Sequence, residues 1–169
     1  MAETPHPTIT IDLADEAATT ALAERVSAVA EIGDTVALFG ELGSGKTVFA
    51  RAFINARTET HEDVPSPTFT LVQTYEFPDP EGAIPVYHFD LYRIEEAEEI
   101  EELGMEDAFA DGISLIEWPE RLNGRLPGNR LDVVLNHGDD AERRQAVLTS
   151  HGSWTARLPA VTTKGDEND

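Results

Sequence analysis

The chain of 169 residues carries 33 Asp and Glu against 12 Lys and Arg, a formal net charge of −21. A surface of that sign repels polyanions and excludes a stand-alone tRNA or DNA binder that works by counterion release. Hydrophobic residues at 40% are enough for one folded domain, and with no cysteine there are no disulfides or thiolate metal sites.

Residues 1–7 hold two prolines and read as loose. Thr8–Leu13 reads as a short edge strand. Asp12 or Asp15 can cap a helix running to about Glu31, with Leu22, Val26 and Val29 on one face. Gly33 and Asp34 then turn the chain into Val36-Ala37-Leu38-Phe39, short and apolar as a strand buried on both sides should be. A glycine loop follows, then a helix over about 45–57. Residues 58–68 are polar and end in VPSPT, where Val64 and Ser66 precede prolines and are pushed into extended conformations. A strand over 69–77, a turn over 78–82 and a strand over 86–92 form an expected antiparallel pair. Ile94, Ala97, Ile100 and Leu103 mark the apolar positions of a glutamate-rich helix over about 95–103, whose acids read as a solvated face. Ile113–Glu117 is another short apolar strand. Residues 131–135, 146–149 and 154–158 read as later strands, and 159–169 as a polar, disordered tail. The expectation is a single α/β domain over 1–158. No apolar stretch reaches membrane-spanning length and no secretory signal pattern opens the chain, so a cytoplasmic protein that does not enter the membrane is expected.

The most informative stretch is GELGSGKT, Gly40 to Thr47, a full match to G-x-x-x-x-G-K-[ST] between a buried strand and a helix. Glycines let the backbone curl so that successive N–H groups face a β-phosphate, and the positive end of the following helix adds to the attraction. Lys46 is positioned to bridge β- and γ-phosphates, and Thr47 to offer its hydroxyl to Mg²⁺. The competing reading is an ordinary glycine-rich turn. A phosphate cradle does not choose the base. The GTPase-like strings at Asp79 to Gly82 and Thr163 to Asp166 lie in a proline-flanked turn and a polar tail, so ATP is favoured over GTP.

A P-loop enzyme needs a carboxylate near Mg²⁺ at the end of a buried strand. Glu117 ends the run Ile113–Glu117 and is the best match, holding the ion directly or through water; Asp90 ends VYHFD and can orient the attacking water. For each, the alternative is a strand-end cap or a surface carboxylate. His88 and Asp90 form an H-x-D pair on one strand face, but without a third ligand a buried or hydrogen-bonded histidine is the better expectation. Trp118 reads as a core or rim aromatic, or as a partner contact. Thr68 reads as a γ-phosphate sensor or as a strand-start hydroxyl.

Together GELGSGKTVFARAF, SPTFTLVQTYE, VYHFDLYRI and LIEWPERL, with the helix LADEAATTALAERV, resemble the bacterial TsaE family (formerly YjeE) in order and over about residues 8–158. The resemblance implies a P-loop NTPase-type three-layer α/β sandwich with a mixed parallel and antiparallel sheet. It implies a weak, Mg²⁺-dependent ATPase that works with TsaB and with TsaD, the transferase that places threonylcarbamoyl on adenosine 37 of tRNAs reading codons that begin with A. Hydrolysis resets that complex, and the tRNA is met only through the partners. Carried onto this chain, the nucleotide loop is Gly43, Ser44, Gly45, Lys46, Thr47 and Val48. The metal ligands are Thr47 and Glu117, and the functional aspartate is Asp90. Trp118 follows the metal acid, Glu16 lies on the adenine side and a late arginine falls on Arg143. Lys46, Asp90 and Glu117 are the expected catalytic set. The 55–64 loop and the 78–85 turn depart from the family pattern. Slow intrinsic turnover is expected, with Arg51 and Arg93 the in-chain alternatives to a partner's arginine. The rival functions are a small-molecule kinase, for which no acceptor pocket or arginine-rich lid is evident, and a non-hydrolysing nucleotide-dependent adaptor.

Overall fold

The computed structural model describes residues 6–57, 71–77 and 84–162. The first strand, β1 (Thr8–Leu13), alternates exposed and inward residues as an edge strand should. Helix α1 (Glu16–Val29) opens at Asp15, whose carboxylate accepts the Ala18 N–H at 3.0 Å. Its inward stripe is Leu22, Ala23 and Val26. Next come β2 (Thr35–Phe39), α2 (Lys46–Asn55), β3 (Val72–Phe77) and β4 (Ile84–Asp90). Two short helices, α3 (Ala97–Glu101) and α4 (Met105–Asp111), lead to β5 (Ile113–Glu117) and a 3₁₀ turn over Pro119–Leu122. The chain finishes with β6 (Arg130–His137), β7 (Arg144–His151) and α5 (Trp154–Thr162).

The seven strands lie in the order β1-β7-β6-β2-β5-β4-β3. At the centre β6, β2, β5 and β4 are parallel. β7 and β1 add antiparallel strands at one edge, and β3 at the other. The middle strands are buried on both faces, which explains why β2 and β5 read as continuous apolar runs. One core lies between the sheet and α1, α2 and α5, joining Leu22, Phe49, Phe53 and Trp154 to Leu38 and Leu115. A second lies between the other face and α3 and α4, joining Ile100, Met105 and Ala108 to Phe89 and Ile116. Leu115 and Ile116 are adjacent and serve opposite cores, as the period of two requires. The result is three layers with a mixed sheet.

At the end of the sheet where the central strand β2 begins, Arg157 donates to both oxygens of buried Asp34, at 2.6 and 3.0 Å, and to the Val29 carbonyl at 2.8 Å. Asn129 completes the ring by donating to Asp34 Oδ1 at 3.0 Å. The guanidinium also lies 4.2 Å from the Trp154 ring centroid. This bidentate pair ties α5 to the loop between α1 and β2.

Several expectations change. Residues 154–158 are helical, not a strand: Trp154, Leu158 and Val161 are buried at helical spacing, and Gly152, at φ +69°, ends the preceding strand. Because α5 runs through Thr162, a domain boundary at 158 would cut a helix, and the stretch from Pro159 to Thr162 is not a tail. The glutamate-rich helix is only Ala97–Glu101, opened by a capping box between Glu96 and Glu99. Gly104, at φ +68°, separates it from α4, which was not expected. The antiparallel pairing of β3 with β4 is as expected, from Val72 opposite Phe89 to Phe77 opposite Ile84. Thr68, the 58–68 loop, the turn carrying Asp79 and the string beginning at Thr163 lie outside the described residues.

Candidate functional site

Glu117 and Asp90 end neighbouring parallel strands and are register partners, and Leu38 of β2 stands opposite Glu117 on the other side. The loop from Gly40 to Gly45 leaves β2 beside these acids and enters α2. The site therefore sits outside the carboxyl ends of parallel strands, where open α/β sheets bind ligands.

Two glycines make the loop possible. At Gly40, φ +149°, an added Cβ would run into Ser44 Oγ and stand 2.6 Å from the Leu135 carbonyl oxygen. Gly45, at φ +109°, takes a left-handed conformation at the start of α2, and no side chain caps the helix there. The first amides of α2 have no carbonyl partner within the helix, and their dipoles add toward the loop.

Lys46 is buried, at 5% exposure. Its ammonium donates to the carbonyls of Gly40 at 2.6 Å and Glu41 at 3.0 Å, and lies 4.1 Å from the Trp118 ring centroid. Burial pushes the ammonium pKa below its usual range, while the charges of Glu117, Glu120 and Asp90 pull it back. Trp118 holds its place through a left-handed backbone, φ 61° and ψ 50°, which costs a non-glycine residue on the order of 1–3 kcal/mol. That turn directly follows Glu117 and sets the indole between Lys46 and the Tyr92 ring, 5.0 Å away.

The Glu117 carboxylate is buried at 2% exposure. Thr47 Oγ1 donates to it at 3.0 Å from Oε1 and 3.3 Å from Oε2, and His88 Nε2 lies 2.8 Å from Oε2. Asp90 is also buried, and its Oδ1 accepts the Tyr92 N–H at 3.1 Å. A hydroxyl and a carboxylate are the hard oxygen donors that suit Mg²⁺. Among the described residues no three His, Cys, Asp or Glu side chains are grouped to hold a metal alone. His88 is the buried, hydrogen-bonded histidine that the H-x-D pair suggested.

These groups face one cleft of about 800 Å³, a volume suited to a nucleotide. Of the residues expected there, Glu16, Gly43, Gly45, Lys46, Thr47, Val48, Asp90 and Glu117 line it. Ser44 does not; its side chain is buried beneath the loop, its amide donates to the Glu41 carbonyl, and its Oγ finds no partner among the described residues. Arg143 does not reach the cleft either, since it is exposed beside Asp140. The neighbouring Arg144 does, donating to the carbonyls of Ser44 and Gly43 at 3.2 Å each. Arg144 begins β7 on the inward side shared by Ala146, Leu148 and Ser150, and this alternation was the signal for choosing it over Arg143. Arg51 and Arg93 do not line the cleft; Arg51 opens onto an adjoining groove with Glu24 and Asn55 that shares Glu16 and Val48 with it. Tyr92 was not anticipated as a site residue.

Residues 13–146 match the family model described as "Threonylcarbamoyl adenosine biosynthesis protein TsaE". The tRNA threonylcarbamoyladenosine biosynthesis protein TsaE of Bacillus subtilis is 39% identical over 80% of this chain and 81% of its own. The protein of the same name from Rickettsia conorii is 37% identical over 82% and 77%. That of Nostoc sp. is 36% identical over 89% and 91%. The crystal structure of Bacillus subtilis YdiB superposes with a TM-score of 0.74 at 25% identity, covering 99% of this chain and 100% of that one. With the family model and these relatives covering most of its length, the chain belongs to the TsaE family of threonylcarbamoyladenosine biosynthesis proteins.

Proposed function

We propose that this chain is a weak Mg²⁺-dependent ATPase that acts with TsaD and TsaB in the cytoplasm and resets the complex that modifies adenosine 37 of tRNAs reading codons that begin with A. The observation that carries the reading is the hydrogen bond from Thr47 to Glu117 beside the Lys46 loop. It joins a phosphate cradle to a metal-type acid across the sheet.

In this reading the loop amides and the start of α2 hold the phosphates. Lys46 exchanges the Gly40 and Glu41 carbonyls for phosphate oxygens and stabilises charge on the transferring group. Thr47 can keep its proton on Glu117 while offering a lone pair, since a hydroxyl has one donor and two acceptor sites. Thr47 and Glu117 hold the magnesium, which when bound neutralises phosphate charge. Asp90, next to Glu117 in register, orients the attacking water. Glu16 and Arg144, on the side of the cleft away from the acids, flank the base. Slow turnover of the isolated chain, with a partner completing the site, belongs to the same reading. The charge of −21 fits a subunit that leaves tRNA to its partners.

The test is ATP turnover by the chain alone and with TsaB and TsaD. Slow turnover that rises several-fold with both partners supports the proposal. Fast turnover that the partners do not change contradicts it.

A further inference from the structure

We propose that His88 is a positioning residue for Glu117, fixing the carboxylate through Oε2 so that the group can serve magnesium. This rests on the reading of Glu117 as a metal carboxylate. Three observations carry it. His88 is fully buried, and among the described residues its side chain meets one polar partner, with Nε2 2.8 Å from Glu117 Oε2. Its Nδ1 is buried with no partner among the described residues, so the ring is aimed at Glu117 rather than shared with the core. Strand register builds the contact in: Asp90 stands opposite Glu117 and His88 opposite Leu115, and alternation puts His88 and Asp90 on one face of β4.

The chemistry explains why such a group is useful here. P-loop enzymes commonly place an aspartate at this strand end. Glutamate has one more rotatable bond, and its oxygens swing through a wider arc. Thr47 holds the carboxylate from α2 and His88 from β4, and two donors on one carboxylate remove that freedom. Donation to the carboxylate needs a proton on Nε2, the nitrogen that faces Glu117. Partners of metal ligands that act this way change metal affinity by roughly 10–100-fold when removed.

The experiment compares wild type, His88→Leu and His88→Gln by calorimetric titration with ADP, with and without magnesium. Leucine fills the space without a donor; glutamine returns an N–H near the position of Nε2. The expected result is that magnesium enhancement of ADP affinity falls about 10-fold or more in His88→Leu. Magnesium-free affinity stays within about 2-fold, and His88→Gln recovers most of the loss. Unchanged enhancement in His88→Leu, or no recovery in His88→Gln, overturns the role of His88 alone. No enhancement in wild type overturns the metal reading of Glu117, and this role with it. A readout that needs no variant is the imidazole ¹⁵N–¹H spectrum of wild type. A proton on Nε2 supports the assignment, and a bare Nε2 overturns it.

Discussion

Thr47 and Glu117 are 70 positions apart in the chain and 3.0 Å apart in space, hydroxyl to carboxylate. Their meeting is a product of sheet order. β2 and β5 are parallel neighbours with Leu38 opposite Glu117, and α2 begins one short loop beyond β2. The glycine loop and Glu117 are therefore positioned by one pair of strands.

Glu117→Gln separates enzyme from adaptor. It keeps the shape and an acceptor for Thr47 but removes the charge. ATP turnover should fall about 10²–10³-fold, the usual scale for losing one electrostatic group at a reacting centre, while magnesium-free ADP binding stays close to wild type. Turnover assays beside calorimetry check this; full turnover would put the acid somewhere other than Glu117.

Lys46→Met should abolish turnover without loss of melting temperature. The lysine is buried and its pKa is lowered by that burial, so at neutral pH its charge costs the folded state something. Methionine keeps the apolar stem. Scanning calorimetry of both proteins at neutral pH is the check, and a large fall in melting temperature would show that the carbonyl contacts outweigh desolvation.

Gly40→Ala should damage fold and site together, because its Cβ has nowhere to go between Ser44 Oγ and the Leu135 carbonyl. A loss of about 2 kcal/mol is expected, which for a domain of this size is roughly 4–8 °C in melting temperature. ADP affinity should fall in parallel. Thermal melts with and without ADP measure both.

Arg157→Ala should be the most destabilising of these changes, by about 3–5 kcal/mol, because it strands Asp34 as a buried carboxylate without its bidentate partner. The pair is at the opposite end of β2 from the glycine loop. ADP affinity measured well below the melting temperature should therefore stay near wild type. Urea unfolding and calorimetry together test the separation.

What the chain disclosed in advance was mostly local. The strand β2, the glycine loop and α2 are consecutive, and their signals are a short apolar run, obligatory glycines and helical spacing. Glu117 was legible because it ends a short run that is apolar except at Ser114. Long-range pairings were not: nothing near His88 announces Glu117, and nothing near Arg144 announces the carbonyls of Gly43 and Ser44. Arg144 was recoverable from the alternation of β7, which puts it inward and leaves Arg143 in the preceding loop. α5 was misread because WTARL also alternates like a strand; the wider spacing of Trp154, Leu158 and Val161 carries the helical signal. α4 is a helix of 7 residues after Gly104, too brief for periodicity to declare it.

The most direct test of the account is calorimetric titration of the wild-type protein with ADP and with a non-hydrolysable ATP analogue, in magnesium and in chelator. The account predicts saturable binding at one site per chain, weakened in chelator and lost in Lys46→Met. Absence of heat and of saturation with either nucleotide in magnesium would contradict it.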